Sequence, residues 1–237
     1  MEQIKELITL NNGVQIPAIG FGTYKAVKGD TSEVIRKAIR CGYRYLDTAS
    51  FYGTEKYVGE AIRESGIPRK EFFIVSKVWK DEMGYENTKK AFTRTLENLG
   101  TDYLDLYLIH WPKPTPDYDD WGELDRETWK AMEELCEEGK IRAIGLSNFL
   151  PHHIESLLKT CRIVPAVDQL EFHPGYTQEA AVRYCKEKGI WVQAWSPLGR
   201  ARVMDDRLIE ELSAKYQVSP AQICLRYALQ KGVIPIP

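Results

Sequence analysis

The 237-residue sequence predicts a single (β/α)8 barrel, on three observations. Eight apolar, β-rich runs alternate with amphipathic helical stretches, most of the helical stretches close on glycine, and the length suits one such barrel. The expected strands are AIGFGT from Ala18, YRYLDTA from Tyr43, FFIVSKVW from Phe72, YLDLYLIHW from Tyr103, IRAIGLSN from Ile141, PAVDQLEFH from Pro165, IWVQAWSPL from Ile190 and VIPIP from Val233. Parallel strands joined by right-handed crossovers close into a barrel more naturally, at eight units, than they extend as an open sheet.

The chain opens on ITLNNGVQIP, which predicts a hairpin around Asn12 and Gly13 capping the barrel floor. The helical stretches are SEVIRKAIRCG, EKYVGEAIRESG, TKKAFTRTLENLG, TWKAMEELCEEGK, QEAAVRYCKEKG and SPAQICLRYALQKG, with apolar residues three and four apart. In the last, Ser219 supplies an N-cap and Pro220 suits the first helical position. No linker or low-complexity segment interrupts residues 1–237, so one domain is expected. If Val233 opens the eighth strand, the helix that should cover it is missing, and a further C-terminal segment is expected beyond Pro237.

Composition narrows the function. A formal charge of −2 with no Lys/Arg block argues against a nucleic-acid or membrane-surface partner and favours a small-molecule substrate. No run of about 20 apolar residues and no N-terminal signal pattern is present, so the cytoplasm is the default address. Cys41, Cys136, Cys161, Cys185 and Cys224 form no CxxC pair and read as reduced packing residues. His152 and His153, adjacent after Pro151, are expected at the surface, and His173 is expected to be structural, so no metal site is indicated.

The chemical signal is GYRYLDTASFYG, residues 42–53, where an apolar strand ends in Asp47 and Tyr52. A buried parallel strand should stay apolar to its end, and polar groups at the carboxyl ends of barrel strands mark the working face. Lys77 ends the third strand and His110 the fourth. Each alone has a structural explanation: Asp47 as a helix cap, Tyr52 and His110 as core, Lys77 as a snorkelling cation. Together they suit proton delivery: a Lys held cationic by a carboxylate should lower the pKa of a neighbouring phenol, and a phenol with an imidazole N–H can stabilise and protonate an oxygen that gains charge.

Five segments, GYRYLDTASFYG, SKVW at 76–79, LDLYLIHWP at 104–112, GKIRAIGLSNF at 139–149 and QLEFHP at 169–174, are similar in content and order to the signatures of the aldo-keto reductases. The chain resembles that family over its whole length. The resemblance implies reversible, NADPH-dependent reduction of a small carbonyl compound, with NADH as the alternative donor; a monomer is the expectation, with the oligomeric state left open by the sequence. It implies Tyr52 as proton donor, Lys77 and Asp47 as its tuning pair, and His110 as the group that orients the substrate oxygen. It further implies a cofactor groove of Gly22, Thr23, Asp47, Ser147, Asn148, Gln169, Trp195, Ser196, Pro197, Leu198 and Gly199. The substrate wall would be Tyr24, Phe51, Trp79, His110 and Trp111, and the elements gripping an adenosine 2′-phosphate would follow Pro237.

Three positions depart from the family pattern. Asp168 stands where Asn is usual, which would weaken a cofactor contact; Thr54 and Tyr24 stand where Asn and Trp are common, which bears on substrate preference. Two other readings share the fold: a non-catalytic nicotinamide-nucleotide sensor, and a lyase using Lys77 as a Schiff-base nucleophile. The second requires a neutral lysine, which Asp47 opposes. A metal-dependent hydrolase lacks an HxH at any strand end.

Overall fold

The computed structural model describes residues 6–25 and 31–237. An antiparallel hairpin of β1 (Leu7–Thr9) and β2 (Gln15–Pro17) comes first, paired Leu7 to Pro17 and Thr9 to Gln15. Gly13 turns it at φ 84°, a left-handed conformation that favours glycine. Its Asn11 and Asn12 side chains donate to the carbonyls of Pro165 and Arg142, and Trp191 Nε1 donates to Thr9 O. These contacts fall at the amino ends of the barrel strands, so the hairpin closes the floor as expected.

Eight parallel strands follow: β3 (Phe21–Gly22), β4 (Tyr45–Asp47), β5 (Phe73–Val78), β6 (Leu104–Ile109), β7 (Ile141–Ser147), β8 (Val167–Glu171), β9 (Trp191–Trp195) and β10 (Val233–Ile236). They pair in chain order. Gly20 N to Pro235 O at 3.0 Å and Gly22 N to Pro237 O at 2.8 Å bring the first strand against the last, leaving a nearly closed barrel. The helices are α1 (Thr31–Arg40), α2 (Glu55–Glu64), α3 (Tyr85–Leu99), α4 (Trp121–Glu137), α5 (Pro151–Leu158), α6 (Glu179–Glu187), α7 (Arg207–Tyr216) and α8 (Pro220–Gln230). Ser219 caps α8 by accepting from Gln222 N, and Gln222 Oε1 accepts in return from Ser219 N. α7 was not anticipated, although Asp206, accepting from Leu208 N and Ile209 N, marks its start.

The strand period of two sorts the side chains. Tyr45, Phe73, Val75, Leu106, Leu108, Ala143, Val167, Ile234 and Ile236 fill the barrel with Leu10 and Ile16 of the hairpin. Residues of opposite parity, such as Leu46, Ile74, Tyr107, Ile144 and Leu170, pack outward under the helices. Gly145 fits this interior because an added Cβ would lie 2.7 Å from Val167 O and 2.9 Å from Leu108 Cδ2.

Candidate active site

Continuing the inward parity to the carboxyl ends of the strands leads out of the hydrocarbon layer. After Tyr45 comes Asp47, after Val75 Lys77, after Leu108 His110, after Gly145 Ser147, after Val167 Gln169 and after Gln193 Trp195. All of these groups but Lys77, which lies beneath, border a cavity of about 280 Å³, whose lining also includes Gly22, Tyr24, Phe51, Tyr52, Trp79, Trp111, Asn148, Ser196, Arg200, Ile236 and Pro237.

Tyr52 is presented by a single 3-10 turn, Ser50–Tyr52, which Gly53 ends at φ 68°. The turn is tied down by Ser50 Oγ, which donates to Glu82 Oε2 at 2.6 Å and lies 3.1 Å from Lys77 O. Tyr52 Oη thereby comes within 3.5 Å of Lys77 Nζ and 3.4 Å of His110 Nε2. Lys77, fully buried, donates to Asp47 Oδ1 at 2.5 Å and to Thr48 O at 2.9 Å. Asp47 Oδ2 accepts from Gln169 Nε2 at 2.8 Å. The four residues expected to do proton chemistry do meet.

Their electrostatics differ from expectation in one respect. Tyr52 is held well above the ordinary phenol range by burial first, then by the Asp47 charge and by Tyr24. The expected lowering by Lys77 does not prevail: Lys77 is engaged by Asp47, while desolvation and the Asp47 charge both favour the protonated phenol. Burial also pushes Lys77 below its usual value against the pull of Asp47. His110 falls to about 2 through burial and the charges of Lys77 and Lys80, and is therefore a neutral imidazole. Its buried Nδ1 has no partner, so a proton there would be an unsatisfied donor, which favours the tautomer carrying N–H on Nε2, toward the cavity.

At the opposite rim Asn148 has φ 62°, and its side chain is locked. Trp195 Nε1, a donor only, bonds Asn148 Oδ1 at 2.9 Å, which fixes the amide orientation; Nδ2 then serves His110 O at 3.0 Å and Ser147 Oγ at 3.1 Å. Both Asn148 donors are consumed. What remains is acceptor capacity: a lone pair on Asn148 Oδ1, and Gln169 Oε1, to which no described residue donates while Nε2 serves Asp47 and Gln193.

Most other expected residues line the cavity too. Tyr24 packs on Tyr52 with ring centroids 4.9 Å apart, Phe51 stacks on Trp79 at 3.9 Å, and Trp79 stands edge-on to His110 at 4.8 Å. Thr23, Pro197, Leu198 and Gly199 do not reach the lining. Thr23 is fully buried, its hydroxyl 2.9 Å from Asp47 O and from Thr54 Oγ1; Pro197 and Gly199 are buried, and Val203 packs where a Gly199 Cβ would project. Thr54 likewise joins Thr23 to Thr48 inside the protein rather than facing substrate. Arg200, which sequence reasoning missed, does line the cavity, its guanidinium 5.8 Å from the centre of the Trp195 ring. Its signal was weak: a charged residue just past SPLG on a loop.

Two other expectations are corrected. Asp168 has the outward parity of β8 and meets Cys185 Sγ at 3.8 Å rather than the cavity, so it touches no cofactor groove. Burial raises it to about 8. His153 is not a surface residue: it packs between Trp121 and Phe149, and its Nδ1 accepts from Leu150 N at 3.1 Å to cap α5. Burial lowers it to about 4. His173 is structural, its Nδ1 2.8 Å from Pro174 O. Among the described residues no group of three potential ligands could hold a metal, and no helix is long and apolar enough to cross a membrane.

Comparison with known proteins identifies the family and the fold. Residues 18–237 match the model of the Aldo/keto reductase family. The chain is 46% identical to glyoxal reductase of Bacillus subtilis, over 99% of this chain and 82% of that protein. The crystal structure of an aldo/keto reductase from Brucella melitensis superposes with a TM-score of 0.92 at 40% identity, covering 98% of this chain and 87% of that one. A Bombyx mori aldo-keto reductase in complex with NADP gives 0.90 at 35% identity, covering 100% of this chain and 84% of that one. A barrel whose inward parity ends in Asp47, Lys77 and His110 around Tyr52, matched along nearly its whole length, belongs to the aldo/keto reductase family, and the protein is an NAD(P)H-dependent oxidoreductase.

Proposed function

We propose that the protein reduces an aldehyde or ketone with NADPH, using Tyr52 as the proton donor. The observation that carries this reading is the position of Tyr52 Oη, 3.5 Å from Lys77 Nζ and 3.4 Å from His110 Nε2 at the wall of the cavity. A carbonyl oxygen set between the phenol and the imidazole N–H accepts two hydrogen bonds that strengthen as it gains negative charge. Because burial raises Tyr52, the phenol keeps its proton at neutral pH. The carbonyl oxygen becomes a strong base as hydride arrives, and the phenol carries the proton it can draw on.

Asp47 holds Lys77 with its Nζ near the phenol, and Lys77 stabilises the tyrosinate left after transfer. His110, neutral to about pH 2, positions the oxygen without competing as an acid. Lys77 is a poor Schiff-base nucleophile, because its Nζ is buried and already donates to Asp47 and Thr48 O.

The residues suit a nicotinamide cofactor, which when bound supplies the hydride. Gln169 Oε1 and Asn148 Oδ1 are acceptors left for a carboxamide NH2, and Trp195 offers a ring face held in place by its bond to Asn148. Gly22, Ser147 and Ser196 complete that side, with the Asp47 carboxylate able to accept from a ribose hydroxyl. The NADP bound in the Bombyx mori relative supports NADPH over NADH. The aromatic wall of Tyr24, Phe51, Trp79 and Trp111 would take the substrate body. The test is aldehyde-dependent NADPH oxidation with NADH in parallel; its absence across aldehydes, ketones and keto-acids would overturn the reading.

A further inference from the structure

Three cations rest on aromatic rings of the cavity wall. Lys25 Nζ lies 5.4 Å from the Tyr24 ring centre, Arg200 Cζ 5.8 Å from that of Trp195, and Lys80 Nζ 5.0 Å from Trp111 and 5.7 Å from Trp79. Among the described residues, the only acid lining the cavity is Asp47, whose charge Lys77 and Gln169 already engage. The mouth is therefore electropositive, and low-dielectric aromatic walls concentrate that field.

Lys80 follows Trp79 immediately and is half-buried; its ammonium lies beside Trp79 and Trp111, two rings of the cavity lining, without itself belonging to that lining. Two indole rings lie beside its ammonium and offer it no hydrogen-bond acceptor; no described residue forms an ion pair with it, and the adjacent Asp81 is exposed and does not reach it. Glu82 is occupied elsewhere, by Arg94, Ser50 and Trp79 N. Such a cation has three donors free, is pre-positioned by its contacts, and sits close enough to His110 for its charge to act on the imidazole. That is a receptor for an anionic group at the end of the substrate remote from the carbonyl.

We propose that Lys80 is a specificity-determining residue, and that the enzyme's substrate class is carbonyl compounds bearing a carboxylate or comparable anion. The proposal rests on the reading of Tyr52 and His110 as the groups that hold the carbonyl oxygen. With the carbonyl there, the body of an aryl or short-chain substrate lies along Trp79 and Trp111 and its anion comes to Lys80.

The test uses the full chain with NADPH and two substrates that differ in charge, 4-carboxybenzaldehyde and its methyl ester. The expected ratio of kcat/KM favours the carboxylate, declines with added salt, and falls about fivefold in Lys80→Met through KM, the scale of one partly exposed ion pair. Lys80→Arg should keep most of the preference. An unchanged ratio in Lys80→Met, or a ratio that collapses in Arg200→Met instead, overturns the proposal. Failure of both substrates to consume NADPH, when other aldehydes or ketones do, overturns the assignment of Lys80 alone; failure of every carbonyl compound overturns the reductase reading as well.

Discussion

Ser50 Oγ donates to Glu82 Oε2 at 2.6 Å, so the turn that presents Tyr52 is fastened to the turn that follows Trp79. The same carboxylate oxygen accepts from Trp79 N at 2.8 Å, and Arg94 holds the other oxygen. One carboxylate thus sets both the proton donor and the aromatic wall. Glu82→Gln should lower kcat by about tenfold, the effect of a small misplacement of a reacting group, with a smaller change in cofactor Kd. Ser50→Ala should produce the same pattern more weakly. Steady-state kinetics with cofactor titration checks this, and equal losses in Kd and kcat would point to general unfolding instead.

The Lys77–Asp47 pair is buried, so removing one partner strands the other. Lys77→Met should cost about 3–5 kcal/mol of stability as well as turnover. Combining it with Asp47→Asn should recover part of the stability and none of the activity. Denaturant unfolding of the two single variants and the double variant measures the coupling; strict additivity would contradict a direct pair.

Asp168 illustrates both what the sequence could disclose and what it concealed. Eight strands and their order follow from apolar runs and turn residues, and Asp47, Lys77 and His110 were legible because ionisable groups at strand ends are rare. Which face a residue takes was harder to read, since parallel strands are apolar on both faces and hide their parity. Asp168, standing where the family pattern has Asn, therefore suggested a weakened cofactor contact, whereas it faces Cys185 under α6. His153 was concealed for a related reason, because its burial depends on Trp121, distant along the chain, as well as on the nearby Phe149. The direction of the Tyr52 shift was hidden because desolvation is a property of packing.

The burial of Asp168 has a pH signature. Its carboxyl is raised to about 8 in the folded protein from an ordinary 3.8, so the folded state binds the extra proton between those values and stability falls as pH rises through that window. Asp168→Asn removes this loss. Its stability advantage should grow from pH 5 to pH 8, reaching on the order of 1–3 kcal/mol, and then level off. Thermal unfolding at the two pH values decides it, and an advantage independent of pH would count against a buried carboxyl.

His110 gives a second pH prediction. Its folded pKa of about 2 lies below the ordinary 6.5, so the imidazole stays neutral through the acid range in the folded enzyme. Carbonyl reduction should therefore show no inflection near pH 6.5 from this group, and should decline at alkaline pH only as Tyr52, raised above 10, loses its proton. Below pH 6.5 the unfolded chain takes up a proton on this histidine that the folded chain excludes, so stability is lost as pH falls toward 2. A kcat/KM profile with a midpoint near 6.5 that disappears in His110→Gln would contradict a neutral imidazole.

The central claim is that Tyr52 delivers the proton, and Tyr52→Phe tests it with the removal of one oxygen atom. Aldehyde-dependent NADPH oxidation should fall by about 10²–10⁴-fold, the usual contribution of a general acid, while NADPH affinity measured by fluorescence titration stays within a few-fold. Turnover within tenfold of the unmutated protein would contradict the account.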